Sequence, residues 1–81
     1  MIQIYGSMLC KDCVMCRKQL DEAGVAYKYR DFGKDLLALK EFLAIRDSNK
    51  VFVPVKKAGK IGIPCIVRED GSVTLSWKEF L

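Results

Sequence analysis

The sequence predicts an α/β domain: a four-stranded mixed sheet flanked by helices, in the order β-α-β-α-(α)-β-β-α. Three observations carry this. Apolar residues alternate at the N-terminus and then recur at helical spacing. A second strand-like run follows within 30 residues, which is the length of one β-α-β unit. An Asp-Gly pair between two β-rich runs near the C-terminus marks a hairpin.

Met1 to Tyr5 sets Ile2 and Ile4 against Gln3, a strand alternation that Gly6 and Ser7 break. From Lys11 to Ala23 the pattern is helical, with Cys16, Leu20 and Ala23 on one face and Gly24 as a C-cap. Val25 to Arg30 returns to strand. Asp31 to Gly33 is a turn, and Lys34 to Arg46 is a second helix with Leu36, Leu39 and Leu43 as its stripe, widened by Leu37, Phe42 and Ile45. A short helix ending at Gly59 carries Pro54 in its first turn, where proline is tolerated. Ile61 to Arg68 reads as a strand interrupted by Pro64, Asp70-Gly71 as a two-residue turn, and Val73 to Leu75 as the returning strand. Ser76-Trp77-Lys78-Glu79 has capping-box spacing and predicts a closing helical turn.

At 81 residues the chain is one domain, residues 1–81, because two halves would each be near the lower limit for a self-sufficient core. Hydrophobic residues at 51% and charged residues at 30% exclude disorder and low complexity. Apolar runs such as Leu36 to Leu39 are far short of the roughly 20 residues of a membrane span. No basic leader precedes the first strand, so the expected location is the cytoplasm. The net charge of +4 is spread evenly, seven basic and five acidic residues on each side of residue 40, which argues against nucleic acid as a partner. The one local excess is Lys50, Lys56, Lys57 and Lys60, read as a solvated helix face or an anion-binding rim. Histidine is absent, which removes imidazole-based nucleophile activation and proton shuttling.

The chemistry therefore lies with Cys10, Cys13, Cys16 and Cys65. Cys10-Lys11-Asp12-Cys13 falls between the first strand and its helix, the position of a redox-active pair. A helix N-terminus favours an anion, so Cys10 is expected as the attacking thiolate. Cys13, one turn in and less exposed, is expected to resolve the mixed disulfide. Lys11 should assist the thiolate and Asp12 oppose it. Cys16 shares the face of Leu20 and reads as a core thiol. Cys65 is either core-facing or an auxiliary thiol near the pair. The competing reading is a zinc or iron–sulfur site built from Cys10, Cys13, Cys16 and Cys65. Against it, cysteines three apart on a helix climb about 9 Å over two steps at a 1.5 Å rise, whereas sulfurs sharing one zinc lie within about 4 Å of one another.

The chain resembles the glutaredoxins. Ile4-Tyr5, Cys10-Lys11-Asp12-Cys13-Val14, Leu20-Asp21-Glu22-Ala23-Gly24-Val25 and Tyr27 match that family's opening, and Ile63-Pro64 matches its Val-Pro. The resemblance implies a thioredoxin-like fold and a thiol–disulfide oxidoreductase with Cys10 as nucleophile and Cys13 as resolving thiol. It implies a cis Pro64 packed against the pair and an Ile63 backbone able to hydrogen-bond a peptide-like substrate. Lys11 and Lys60 join Ile63 and Pro64 as expected substrate contacts, and Lys56, Lys57 or Lys60 is the expected receptor for glutathione's glycine carboxylate. No bound cofactor or metal is implied. Glutathione is implied as a co-substrate, and the partner as a disulfide-containing protein or a glutathione mixed disulfide. Glutaredoxin-like hydrogen donors of ribonucleotide reductase extend the partners to that enzyme and to thioredoxin reductase. The family's Pro-Tyr between the cysteines is Lys11-Asp12 here, and its lysine three residues before the first cysteine is Ser7. Its Gly-Gly-x-x-Asp, which meets the γ-glutamyl end of glutathione, is replaced by Leu75-Ser76-Trp77. No apolar surface stripe announces an oligomer, and a monomer is expected.

Overall fold

The computed structural model describes residues 1–81. Strand β1 (Ile2–Gly6) leads through helix α1 (Lys11–Glu22) to strand β2 (Tyr27–Asp31), and helix α2 (Leu36–Ser48) follows. A 3-10 turn (Lys50–Phe52) runs into the short helix α3 (Val53–Lys57), then come strands β3 (Cys65–Val67) and β4 (Val73–Thr74) and a closing 3-10 turn (Trp77–Phe80). The sheet order is β2-β1-β3-β4. β1 runs parallel to β2 and antiparallel to β3, and β4 pairs antiparallel with β3. This is the expected mixed sheet.

Because successive strand residues point to opposite faces, the central strands sort the core into two halves. Ile2, Ile4 and Ile66 pack with Cys16 and Leu20 of α1. Tyr5 and Cys65 pack on the other face with Ala38, Phe42 and Phe52. Phe42 and Phe52 are fully buried and meet edge to face at 5.8 Å, each worth about 1.5–3 kcal/mol in area removed from water.

Several elements differ from expectation for local reasons. The Val25 amide donates to the Leu20 carbonyl at 2.9 Å, closing off α1, so β2 begins only at Tyr27 and takes in Asp31, opposite Gly6. Asp35 caps α2 by accepting from the Leu37 amide at 2.9 Å, which moves its start to Leu36; it ends at Ser48, before Asn49. Its inward face is Ala38 and Phe42, with Leu39 and Ile45 beside them, while Leu36, Leu37 and Leu43 are exposed. Ala23 is likewise exposed, and the buried face of α1 is Cys13, Cys16 and Leu20. Residues 61–63 are loop rather than strand. Gly62 sits at φ +95°, the Ile63–Pro64 peptide is cis, and Arg46 pins the segment by donating to the carbonyls of Ile61 (2.8 Å) and Lys60 (2.9 Å). The hairpin turn is longer than two residues. Arg68 accepts from the Gly71 amide and donates to the Ser72 carbonyl, leaving Gly71 alone at positive φ, so the link is a three-residue loop. Ser76 makes no side-chain cap. Its expected partner, Glu79, instead accepts from Arg68 (2.7 Å) and Thr74 (3.1 Å).

Candidate active site

The link between β1 and α1 is a tight turn. The Cys10 amide donates to the Ser7 carbonyl at 3.1 Å, and Ser7 Oγ accepts from the Leu9 amide at 3.1 Å. This places Cys10 as the N-cap of α1, its Sγ accepting from the Cys13 amide at 3.3 Å. An otherwise unpaired amide of the helix start thus meets that sulfur at the N-terminal end of α1. Cys10 is half-buried, and its thiol also points at the Ile63 carbonyl, 4.0 Å away. Cys13 is fully buried one turn later. Burial pushes its thiol up to about 12, the nearby Cys10 sulfur adds to that rise, and the Ser7 amide and the Tyr29 hydroxyl pull the other way. The two sulfurs therefore have different jobs available to them: one presented at a helix terminus, the other held in reserve.

A groove of about 440 Å³ opens over Cys10. Ile63 and Pro64 form one side with Ile61 and Lys60, and Leu75 and Trp77 lie across from them. No backbone hydrogen bond within the chain engages Ile63, so its amide is free for an extended peptide and its carbonyl meets only the long contact from the Cys10 thiol. Lys60 lines the groove, whereas Lys50, Lys56 and Lys57 do not, and those three are exposed around α3. The helical phase separates the two residues between the cysteines. Asp12 lines the groove, and Lys11 lines a separate, smaller depression with Met8, Leu9, Val14, Met15 and Lys18. Lys11 is thus exposed beside the groove rather than among the residues that line it.

The remaining thiols part company. Cys16 is fully buried against Leu20 and Ile4, as a core residue. Cys65 is also fully buried, directly opposite Tyr5 in the β1–β3 ladder, on the sheet face away from α1. Burial raises the Cys16 thiol to about 11 and the Cys65 thiol to about 12. The sheet stands between Cys65 and the α1 cysteines, so the four thiols do not converge, and no three Cys, Asp or Glu side chains come together as a ligand set. The four-cysteine metal site is therefore not assembled, and an auxiliary role for Cys65 has no geometry to support it.

Sequence reasoning missed four features of the site. Leu75 and Trp77 registered only as the absence of a glutathione receptor, yet they build the far wall, and Trp77 is fixed by its Nε1 donating to Gln19 Oε1 at 2.7 Å. Leu9 is 97% exposed immediately before Cys10, and Ile61, with which it lines a depression next to the groove, is 60% exposed. Solvent-facing leucine and isoleucine beside a reactive thiol form an apolar rim, and the only sequence signal for it was Leu9 falling in a turn.

No protein-family model matches the chain. It is 35% identical over 72 residues to an uncharacterized protein of Haemophilus influenzae, a match spanning 89% of this chain and 84% of that protein. Among solved structures, a mutant of the thioredoxin-like protein BC3987 superimposes over 99% of this chain and 93% of its own, with a TM-score of 0.67 and 26% identity.

Proposed function

The chain belongs to one family with the uncharacterized Haemophilus influenzae protein and has a thioredoxin-like fold, and from that premise we propose that it is a thiol–disulfide oxidoreductase of glutaredoxin type. The observation that carries the proposal is the pairing of Cys10, half-exposed at the N-terminus of α1 in a groove, with buried Cys13 one turn behind it. Thiolate Cys10 attacks a substrate disulfide, expelling the first substrate thiolate and forming a mixed disulfide. Cys13 then attacks Cys10 Sγ, the second substrate thiolate leaves, and the Cys10–Cys13 disulfide stores the two electrons' worth of oxidation.

The groove fits an extended peptide bearing a cysteine, held by the Ile63 backbone with apolar neighbours against Ile61, Leu75 and Trp77. Lys60 offers a carboxylate partner at one end, but the opposite wall is apolar where a γ-glutamyl group would need polar receptors. A protein disulfide is therefore the favoured substrate over a glutathione mixed disulfide, with a reductant of the thioredoxin-reductase kind.

Thiol counting and intact mass, with fragment mapping before and after mild oxidation, test this. The expected result is a loss of two hydrogens mapped to Cys10–Cys13 and reversed by a dithiol. Four thiols that stay reduced, or a disulfide that maps elsewhere, would overturn the proposal.

A further inference from the structure

Tyr29 lies on β2 opposite Ile4 of β1, with its ring against the core half that contains Cys16 and Leu20. Its hydroxyl is the one buried side-chain polar atom in the protein without a hydrogen-bond partner. Folded proteins seldom leave such a group unpaired, and each case calls for an explanation. What lies beside this one is the resolving thiol. A Cβ on Gly6 would stand 2.7 Å from Cys13 Sγ and 2.9 Å from the Tyr29 hydroxyl, so sulfur and phenol crowd together over bare glycine backbone. The ring is held there by Arg17, whose guanidinium carbon is 4.3 Å from its centroid and whose Nε donates to the Tyr27 hydroxyl at 3.3 Å.

We propose that Tyr29 is a positioning residue for the resolving step, its hydroxyl donating a hydrogen bond to the Cys13 sulfur as that sulfur becomes a thiolate, with Gly6 as the floor that admits the pair. The inference rests on the dithiol reading above. Burial raises the Tyr29 phenol, so it stays protonated and remains a donor. In the dithiol form it faces a neutral thiol and is unpaired. In the mixed disulfide, Cys13 loses its proton to solvent and the hydroxyl gains an anionic acceptor. The Cys13 thiolate then attacks Cys10 Sγ, the bond between Cys10 and the substrate sulfur breaks, and its electron pair leaves with the substrate sulfur, which takes up a proton. The two protein sulfurs have together lost two electrons, and the two substrate sulfurs have gained them. Tyr29 keeps its proton throughout and meets a charged partner only while the attacking anion exists. A donor fixed in advance where charge develops favours that state selectively.

The test is Tyr29→Phe in the full chain, with dithiobis-nitrobenzoate as the disulfide and stopped-flow detection of two thionitrobenzoate phases between pH 6 and 10. The first phase reports attack by Cys10 and the second reports ring closure by Cys13. The expected outcome is an unchanged first phase and a second phase slowed on the order of tenfold to a hundredfold, with its pH profile displaced upward. Thermal stability should hold, because the resting hydroxyl has no partner to lose. A second phase with wild-type rate and pH profile overturns the proposal while leaving the dithiol mechanism standing. Failure to form the Cys10–Cys13 disulfide in the wild type overturns both. Should Tyr29→Phe fold poorly, an NMR titration of the Cys10→Ser protein decides: the Tyr29 Cζ resonance must move together with that of Cys13 Cβ, and independent titration refutes the hydrogen bond.

Discussion

Gly62 is where the backbone geometry of the groove can be tested most directly. It sits at φ +95°, one residue before the Ile63–Pro64 peptide, and a Cβ there would stand 2.7 and 2.8 Å from two carbons of the Phe52 ring and 3.2 Å from Val55. Replacement by alanine therefore incurs two penalties. Holding a residue with a Cβ at positive φ costs roughly 1–2 kcal/mol. Forcing a methyl against a buried ring adds about 1–3 kcal/mol, because Phe52 is fully enclosed and has little room to retreat. The sum is about 2–5 kcal/mol, and at roughly 4–8 °C per kcal/mol for a domain this small the melting temperature should fall by about 10 °C or more. Gly59 provides the control. It also has positive φ, +69°, but a Cβ there meets nothing within 4 Å. Gly59→Ala should show only the backbone penalty. Thermal and urea unfolding of the two variants side by side isolate the contact with Phe52. Equal losses in both would refute the steric argument that the Phe52 ring excludes a Cβ at this position.

Further outcomes follow from the same geometry. Cys13→Ser should accumulate a mixed disulfide between Cys10 and a substrate sulfur, seen as an adduct by intact mass, and Cys10→Ser should yield no adduct and no turnover; an adduct on any other cysteine contradicts the assignment. The buried thiols of Cys13, Cys16 and Cys65 are raised from 9.0 to about 11–12, chiefly by burial, so the unfolded chain gives up these protons first and folding stability, complete below pH 9, declines as the pH rises through 10 and 11. Each thiol contributes on the order of 1 kcal/mol per pH unit in that window, and a urea midpoint that stays level from pH 8 to pH 10.5 would rule the effect out. Trp77→Ala should raise KM for a protein disulfide severalfold while leaving the reaction of Cys10 with iodoacetamide unchanged, since the indole lines the groove without touching the sulfur turn; equal losses in both assays would mean that it acts through the fold instead.

The parts of this molecule that depend on short-range rules were legible in the sequence. Ile2 and Ile4 against Gln3 fixed β1, Gly24 stopped α1, and Cys10 fell at a helix start because Gly6-Ser7 ends the strand four residues before it. What escaped was decided by contacts distant along the chain. α2 has leucine or isoleucine on nearly every side, so its periodicity fits a stripe through Leu36, Leu39 and Leu43 as well as one through Ala38, Leu39, Phe42 and Ile45, and only docking on the sheet selects the second set. The proximity of Tyr29 to Cys13 follows from the β1–β2 register, which no local pattern encodes. Gly62 fell unremarked inside a strand reading interrupted only by Pro64, whereas its need for glycine comes from Phe52, ten residues earlier. Comparison with a family motif at Leu75-Ser76-Trp77 exposed a missing receptor but gave no hint of the apolar wall built in its place.

That wall hangs on the weakest pairing in the sheet. β4 holds to β3 through two registered pairs, Ile66 with Thr74 and Val67 with Val73, and beyond it the chain is tied by side-chain hydrogen bonds: Arg68 and Thr74 to Glu79, the Ser76 amide to Thr74, and Trp77 to Gln19. Segments secured so lightly open at a free energy well below that of global unfolding. Amide protons from Val73 onward should exchange with solvent long before those of Ile4 or Ile66, in the twice-flanked centre of the sheet. One jaw of the groove is thereby compliant and the other, braced by Arg46 and Phe52, is stiff, so the width of the opening can adjust to the bulk of an incoming disulfide without disturbing the cysteine pair.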